Sequence, residues 1–377
     1  MPAGGPAELA AERAEGAAEA RSRRRRGRRD AAGGGGPRLG GPAGGPPWTP
    51  DWPTTERTFF RLEAEDPFLA GTRPDWQETS QLLSYLRARD ICLLGMLHQH
   101  RYLSSDQLLR LFWPTAKPGT AYDRLARLQA DLRLVLRWQQ YAPRRRGSPA
   151  KRPSVYLLTD RGAAVLASTW GQQAKPIIRH AWHAAHHPMR IHHDLAVADF
   201  FVGLAVAAAS WAGCGLYHWI GDDAMRRNHR LVESDLTPDG WGRLLMPNRE
   251  LVLNLEWDAG TEGSLPLTTK LRLYADQLPP GEYVLFVAPH GPREQAIRQA
   301  VDYVLGPKAK ELPLLTTTVT ALRRDGLLSA IWSPIANENS QLSLLELPGA
   351  ARSELEVNHA LAKPDWWEAR PGGGEGA

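Results

Sequence analysis

Residues 250–258 alternate strictly. Leu251, Leu253, Leu255 and Trp257 share one face of a period-two pattern, while Val252, Asn254, Glu256 and Asp258 share the other. The pattern predicts a strand, and "MPNRE" just before it reads as the turn of a hairpin whose first arm begins after Asp239. A strand rises ~3.3 Å per residue, so Glu256 and Asp258 would stand about 7 Å apart on one side of an apolar ribbon. Elsewhere in this half, "GLYHWIG", "EYVLFVAP" and "LPLLTTTV" read as strands, and "LPLTTKLRLYADQL" and "GPREQAIRQAVDYVL" as helices. Strands alternating with helices predict an α/β domain with a mixed sheet over 190–335. The apolar run 195–212 contains Asp199 and many small residues, so a buried core helix is expected rather than a membrane span.

Residues 86–168 have a different texture. Ile91, Leu94 and Leu97 recur at helical spacing, and Ser104 with Gln107 has capping-box spacing ahead of Leu108, Leu111 and Phe112. A third helix over "TAYDRLARLQADLRL" carries Leu125, Leu128 and Leu132 on its buried stripe and Arg124 and Arg127 on an open face. Two strand-like runs, 134–141 and 154–159, flank "APRRRGSPAKRP", and Thr159 is placed to cap a short helix. Three helices followed by a hairpin with a basic tip predict a winged helix-turn-helix. In that layout the third helix enters the major groove of double-stranded DNA, and Arg144, Arg145, Arg146, Lys151 and Arg152 lie along phosphates. A small helical domain with a solvated loop, or one used for protein contacts, is the other reading.

Composition adds two points. The net charge is +5, but residues 1–50 hold nine Arg against five acids, so the remainder is nearly neutral and any acidic partner must meet local patches. That first segment is Ala, Gly, Pro and Arg with few large apolar side chains, which predicts a disordered arm. Only Cys92 and Cys214 occur, and the first twenty residues lack an apolar stretch, so a cytoplasmic protein is expected. Six of the twelve His fall in a stretch within 168–190 and just beyond, which reads as a connector. His183, His186 and His187 have helical spacing, but no Cys or carboxylate completes a zinc set beside them. Residues 336–377 are expected to form an irregular tail.

The hairpin brings Asp239 to the end of the strand where Glu256 and Asp258 stand. Clustered carboxylates repel, and a shared cation relieves them; oxygen donors suit Mg²⁺ or Mn²⁺. In the next helix Leu267, Leu271, Tyr274 and Leu278 mark the buried stripe, which leans Lys270 toward the sheet and leaves Arg272 and Asp276 outside. Three acids and a lysine at a sheet edge are the parts of a phosphodiester-cleaving site. A solvated rim of charges, or a fold that only binds DNA, remain alternatives.

"PD" at 238–239 with "ExD" at 256–258 and Lys270 beyond resembles the PD-(D/E)xK nuclease superfamily, with Asp258 where the signature lysine usually stands. Over 86–335, "VYLLTDRG", "HDLAVADFFVGL", "PDG", "LEWDAGTE" and "KLRLY", followed by "TTT" and "IW", together resemble the replication-relaxation family of plasmid and mobile-element proteins. The resemblance implies a winged helix followed by a restriction-endonuclease-like α/β domain (α+β overall). It implies DNA as partner, plasmid replication or mobilisation proteins beside it, and Asp239, Glu256, Asp258 and Lys270 as the candidate catalytic set.

Overall fold

The computed structural model describes residues 59–62, 76–142, 150–151, 153–186, 191–228, 235–258, 264–337 and 339–351, all within the compact unit Gly44–Ala377. The N-terminal arm and the segment from 352 onward lie outside the described residues.

The first part begins with strand β1 (Phe59–Leu62) and helices α1 (Trp76–Tyr85) and α2 (Ala88–His100). Then come β2 (Leu103–Ser104), α3 (Ser105–Phe112) and α4 (Pro118–Ala126), the last running on through a π-helical turn over Arg127–Asp131. Strands β3 (Val135–Ala142), β4 (Ala150–Lys151) and β5 (Val155–Leu158) and helix α5 (Asp160–Thr169) close it. Local chemistry sets these boundaries. Ser104 Oγ accepts from Gln107 N at 3.1 Å and Gln107 Oε1 from Ser104 N at 2.8 Å, which starts α3. Pro118 opens α4, where its missing N–H costs nothing. Thr159 Oγ1 accepts from Gly162 N at 3.0 Å to start α5, where a Cβ on Gly162 would meet the Leu134 carbonyl at 2.2 Å. The antiparallel sheet has the order β1-β3-β5-β2, with β4 on β3. β1 and α1 had no signal in the periodicity; β1 is recruited by pairing, Phe59 opposite Tyr141.

The stretch read as a connector contains a helix, α6 (Ala174–His186), because Ile177, Ala181 and Ala184 form a buried stripe. It leads to α7 (Ile191–Ala209), β6 (Gly215–Gly221), α8 (Asp222–Asn228), β7 (Gly240–Leu245) and β8 (Arg249–Trp257). After these follow α9 (Ser264–Gln277), β9 (Glu282–Ala288), α10 (Gly291–Leu305), β10 (Leu314–Thr318), α11 (Val319–Asp325) and β11 (Ser333–Pro334). The sheet order is β11-β10-β9-β8-β7-β6. β8, β9 and β10 are mutually parallel and the remaining pairs antiparallel, so the sheet is mixed, as the alternation of elements predicts. The tail is less irregular than expected: β12 (Ala350–Ala351) pairs with the start of β8.

Helix α7 is long and apolar enough to cross a membrane, and 72% of that stretch is buried. Its Val197, Phe200 and Phe201 join Leu251, Leu253, Leu255 and Trp257 of β8 in one hydrophobic cluster that also takes in Leu108, Leu125 and Leu128 of the first part. Leu271 and Tyr274 of α9 and Ile297 and Val301 of α10 cover the other face of the sheet. Both faces of β8 are therefore covered, and Asn254 and Glu256 are buried along with the leucines. Two polar links join α3 to α7: Gln107 Nε2 donates to the Leu195 carbonyl at 2.8 Å, and Arg110 pairs with Asp199 at 3.0 Å. Phe201 presses on the hairpin so closely that a Cβ on Gly240 would meet its ring at 2.5 Å and Val197 at 2.9 Å. Gly240→Ala is accordingly expected to cost about 1–3 kcal/mol through overpacking, read as a lower urea midpoint at unchanged slope.

Candidate functional site

Asp239 precedes β7, and the register Gly240 to Leu255 sets it beside the end of β8. There Trp257 N donates to Asp239 Oδ2 at 2.9 Å. Lys270 reaches in from α9: its Nζ donates to Asp239 Oδ1 at 3.1 Å and makes a short contact with Glu256 Oε2. Tyr274, one turn further along α9, donates its hydroxyl to Glu256 Oε1 at 2.6 Å. His193 approaches from α7, with Nε2 3.1 Å from Asp239 Oδ2. Strand, hairpin and two helices thus supply Asp239, Glu256, Lys270, Tyr274 and His193 to one point.

The two acids are electrostatically unlike. Burial works to raise the Asp239 carboxyl, but the hydrogen bond and charge of His193, with Lys270, outweigh it and hold it well below the usual carboxylate range. Burial and the Asp239 charge push Glu256 in the opposite direction, up, against the pull of Lys270 and Tyr274. Lys270 is itself desolvated, yet the two carboxylates raise its affinity for its proton. The cluster thus sets a carboxyl held low, Asp239, beside one pushed up, Glu256, with the Lys270 ammonium contacting both.

Asp258 has a partner that its spacing does not predict. It follows the end of β8 and is held by Arg293 of α10 at 2.5 Å. Its N–H donates to the Val287 carbonyl at 3.0 Å, which carries the β8–β9 ladder one residue further. Among the described residues no group of three or more His, Cys, Asp or Glu is arranged to hold a metal ion. The Asp239 and Glu256 carboxylates are hard oxygen donors of the kind Mg²⁺ and Mn²⁺ accept, and the Lys270 ammonium contacts both.

A small cleft adjoins the cluster, lined by Arg101, Asp194, Trp219, Asp222, Asp223 and Asp239 among others. Arg101, at φ 65°, turns out of α2 to pair with Asp223 at 3.2 Å and Asp194 at 4.0 Å. His100 stacks on Trp219 with ring centroids 3.4 Å apart.

On the first part, Arg124 is not on an open face. It donates to Asp90 Oδ1 at 2.9 Å and to the Tyr85 carbonyl at 3.2 Å, because the buried Asp90 at the start of α2 needs a counterion. Arg127 is exposed, 4.0 Å from Asp131, and Tyr122 is exposed on the same helix. Lys151 is placed by its pairing with Tyr141, while Arg144, Arg145, Arg146 and Arg152 lie outside the described residues. Sequence reasoning missed His193 and Tyr274 as members of the cluster. Tyr274 was read only as core, and His193 opens "HDLAVADFFVGL" without a role.

Fold and site together define an α and β protein with a buried carboxylate–lysine cluster at the edge of a hairpin in a mixed sheet. Residues 94–281 match the family described as replication-relaxation, a span that includes His193, Asp239, Glu256, Lys270 and Tyr274, and the chain belongs to that family. No curated protein and no solved structure matches the chain. Family membership supports a role in the replication or relaxation of mobile elements.

Proposed function

We propose that this chain binds the duplex DNA of a replicating mobile element through a winged helix formed by α2–α4 and β2, β3 and β5. We propose further that Asp239, Glu256 and Lys270 form a PD-(D/E)xK-like site for metal-dependent phosphodiester cleavage. The observation that carries the second part is the reach of Lys270. It comes from α9 rather than from the strand, yet its ammonium contacts both carboxylates, so the signature's acid–acid–lysine grouping is assembled in space. Support for the first part is topological: helix, short strand, two helices and a hairpin, with β5 between β2 and β3.

Each residue then has a task. The Trp257 N–H and His193 fix the orientation of Asp239, and Tyr274 fixes Glu256. Asp239 and Glu256 would hold the divalent ion, which supplies polarisation of the phosphate and activation of water when bound. Lys270, whose ammonium contacts both acids, would supply positive charge to meet the charge developing on the phosphate. The ammonium between the acids and the proton favoured by Glu256 also favour a second reading, an internally neutralised, inert cluster on a DNA-binding scaffold.

Thermal melting separates the two. Added Mg²⁺ or Mn²⁺ should stabilise the wild type by RT ln(1 + [L]/Kd), and Glu256→Gln should abolish the gain. A melting temperature indifferent to both ions in the wild type would leave the inert reading.

DNA binding has its own test. Replacing Arg144, Arg145 and Arg146 with Ala should lower the log–log salt slope by about 2–3, at roughly 0.9 per phosphate contact. Arg127→Ala should change sequence preference more than salt slope. Arg124→Ala should instead lower stability, because it strips Asp90 of its counterion. Unchanged binding across a DNA panel after the triple substitution would remove the winged-helix assignment.

A further inference from the structure

We infer that helix α6 is a second nucleic-acid surface, one that holds single-stranded DNA. This rests on the reading above that the chain acts on DNA, and adds a surface that the winged helix does not include.

The helix is two-faced. Ile177, Ala181 and Ala184 are buried, and Ala184 packs with Tyr102, Leu136, Trp138 and Leu157 on the back of the small sheet. The opposite face carries Lys175, Arg179, Trp182 and His183, all exposed, at the i, i+4, i+7, i+8 spacing of a single helical stripe. From 161 to 193 the chain contains no Asp or Glu, so no acid of this segment neutralises the stripe. Lys175 and Arg179 form no ion pair with a described residue, and Trp182 is 40% exposed with its ring edge-on to His183 at 5.2 Å.

A cationic stripe interrupted by an exposed indole has two complementary functions toward a polynucleotide. The cations meet phosphates, and the indole offers a stacking face. Stacking requires an unpaired base, since in a duplex the base faces are already covered. That favours a single strand over duplex for this helix, whereas the basic segment 144–152 and α4 are assigned to duplex above.

The test uses the full chain and one labelled oligonucleotide, single-stranded or annealed to its complement. Lys175→Ala with Arg179→Ala should weaken single-strand binding about tenfold and lower the salt slope by about 1.4, at roughly 0.7 per phosphate. Trp182→Ala should weaken it about tenfold, and Trp182→Phe should recover most of the loss because a ring remains to stack. Duplex binding should not change in any of them, and the melting temperature should not change on replacing Lys175 and Arg179, whose side chains are exposed. Unaltered single-strand affinity in these variants overturns the inference, as do equal losses on duplex and single strand. Wild type that binds duplex but no single strand overturns it while leaving the winged-helix reading intact. Wild type that binds neither removes both.

Discussion

Lys270→Met is expected to destabilise the metal-free protein by about 3 kcal/mol and, in the same variant, to strengthen the response to divalent ions. Methionine keeps the apolar stem that packs along α9, so the change isolates the charge. Without the ammonium, the buried and ionised Asp239 retains His193 and the Trp257 N–H as its support. Removing one partner of a buried ion pair typically costs about 3–5 kcal/mol, and the proton already favoured by Glu256 places this case at the lower end. A divalent ion no longer competes with Lys270 for the two carboxylates, so Mg²⁺ or Mn²⁺ should raise the variant's stability more than the wild type's. Any metal-dependent cleavage should nevertheless fall about a hundredfold or more, since the group meeting the developing charge is gone. Urea denaturation with a chelator and with Mg²⁺ reads the first two effects. A variant as stable as wild type in the chelator would mean that Lys270 does not hold the cluster together.

Arg110→Ala is expected to cost about 3 kcal/mol at pH 7.5 and less than about 1 kcal/mol at pH 5. Arg110 faces the buried Asp199 across the α3–α7 contact at 3.0 Å. Burial pushes the Asp199 carboxyl up to about 6 even with Arg110 beside it. The folded protein therefore holds this proton more tightly than the unfolded chain does. Its contribution to stability is greatest at low pH and falls as pH rises from about 4 through about 6. Above that window Asp199 is ionised and depends on Arg110; at pH 5 it is largely protonated and needs no counterion. Denaturation curves at the two pH values test this, and an equal loss at both would contradict the assignment.

How much of this was legible in the sequence depended on how local each cause is. The capping box at Ser104 and the cap at Thr159 are set within three residues, and both are in place. The hairpin over β7 and β8 was readable from alternation and a turn, and it carried Asp239 to Glu256. Lys270 was readable because helical periodicity fixed which side of α9 faces the sheet. Arg124 was not, since its partner Asp90 sits on another helix and no spacing connects them. The Arg293 partner of Asp258 was not legible either, since it sits on α10, 35 residues further along. The burial of both faces of β8 was also hidden: α9 and α10, from later in the chain, cover the face that carries its polar positions, and Asn254 donates to Glu282 of the neighbouring strand β9 at 2.8 Å. His193 joined the cluster through packing of α7 on the sheet, a long-range event that leaves no local signature.

The most direct test of the central claim is a gel assay of supercoiled plasmid incubated with purified protein, with and without Mg²⁺ or Mn²⁺, alongside Glu256→Gln. Conversion to nicked or linear plasmid that requires the ion and is lost in Glu256→Gln is the predicted result. Plasmid that stays supercoiled with either ion, while the same protein binds it, would contradict a phosphodiester-cleaving site at Asp239, Glu256 and Lys270.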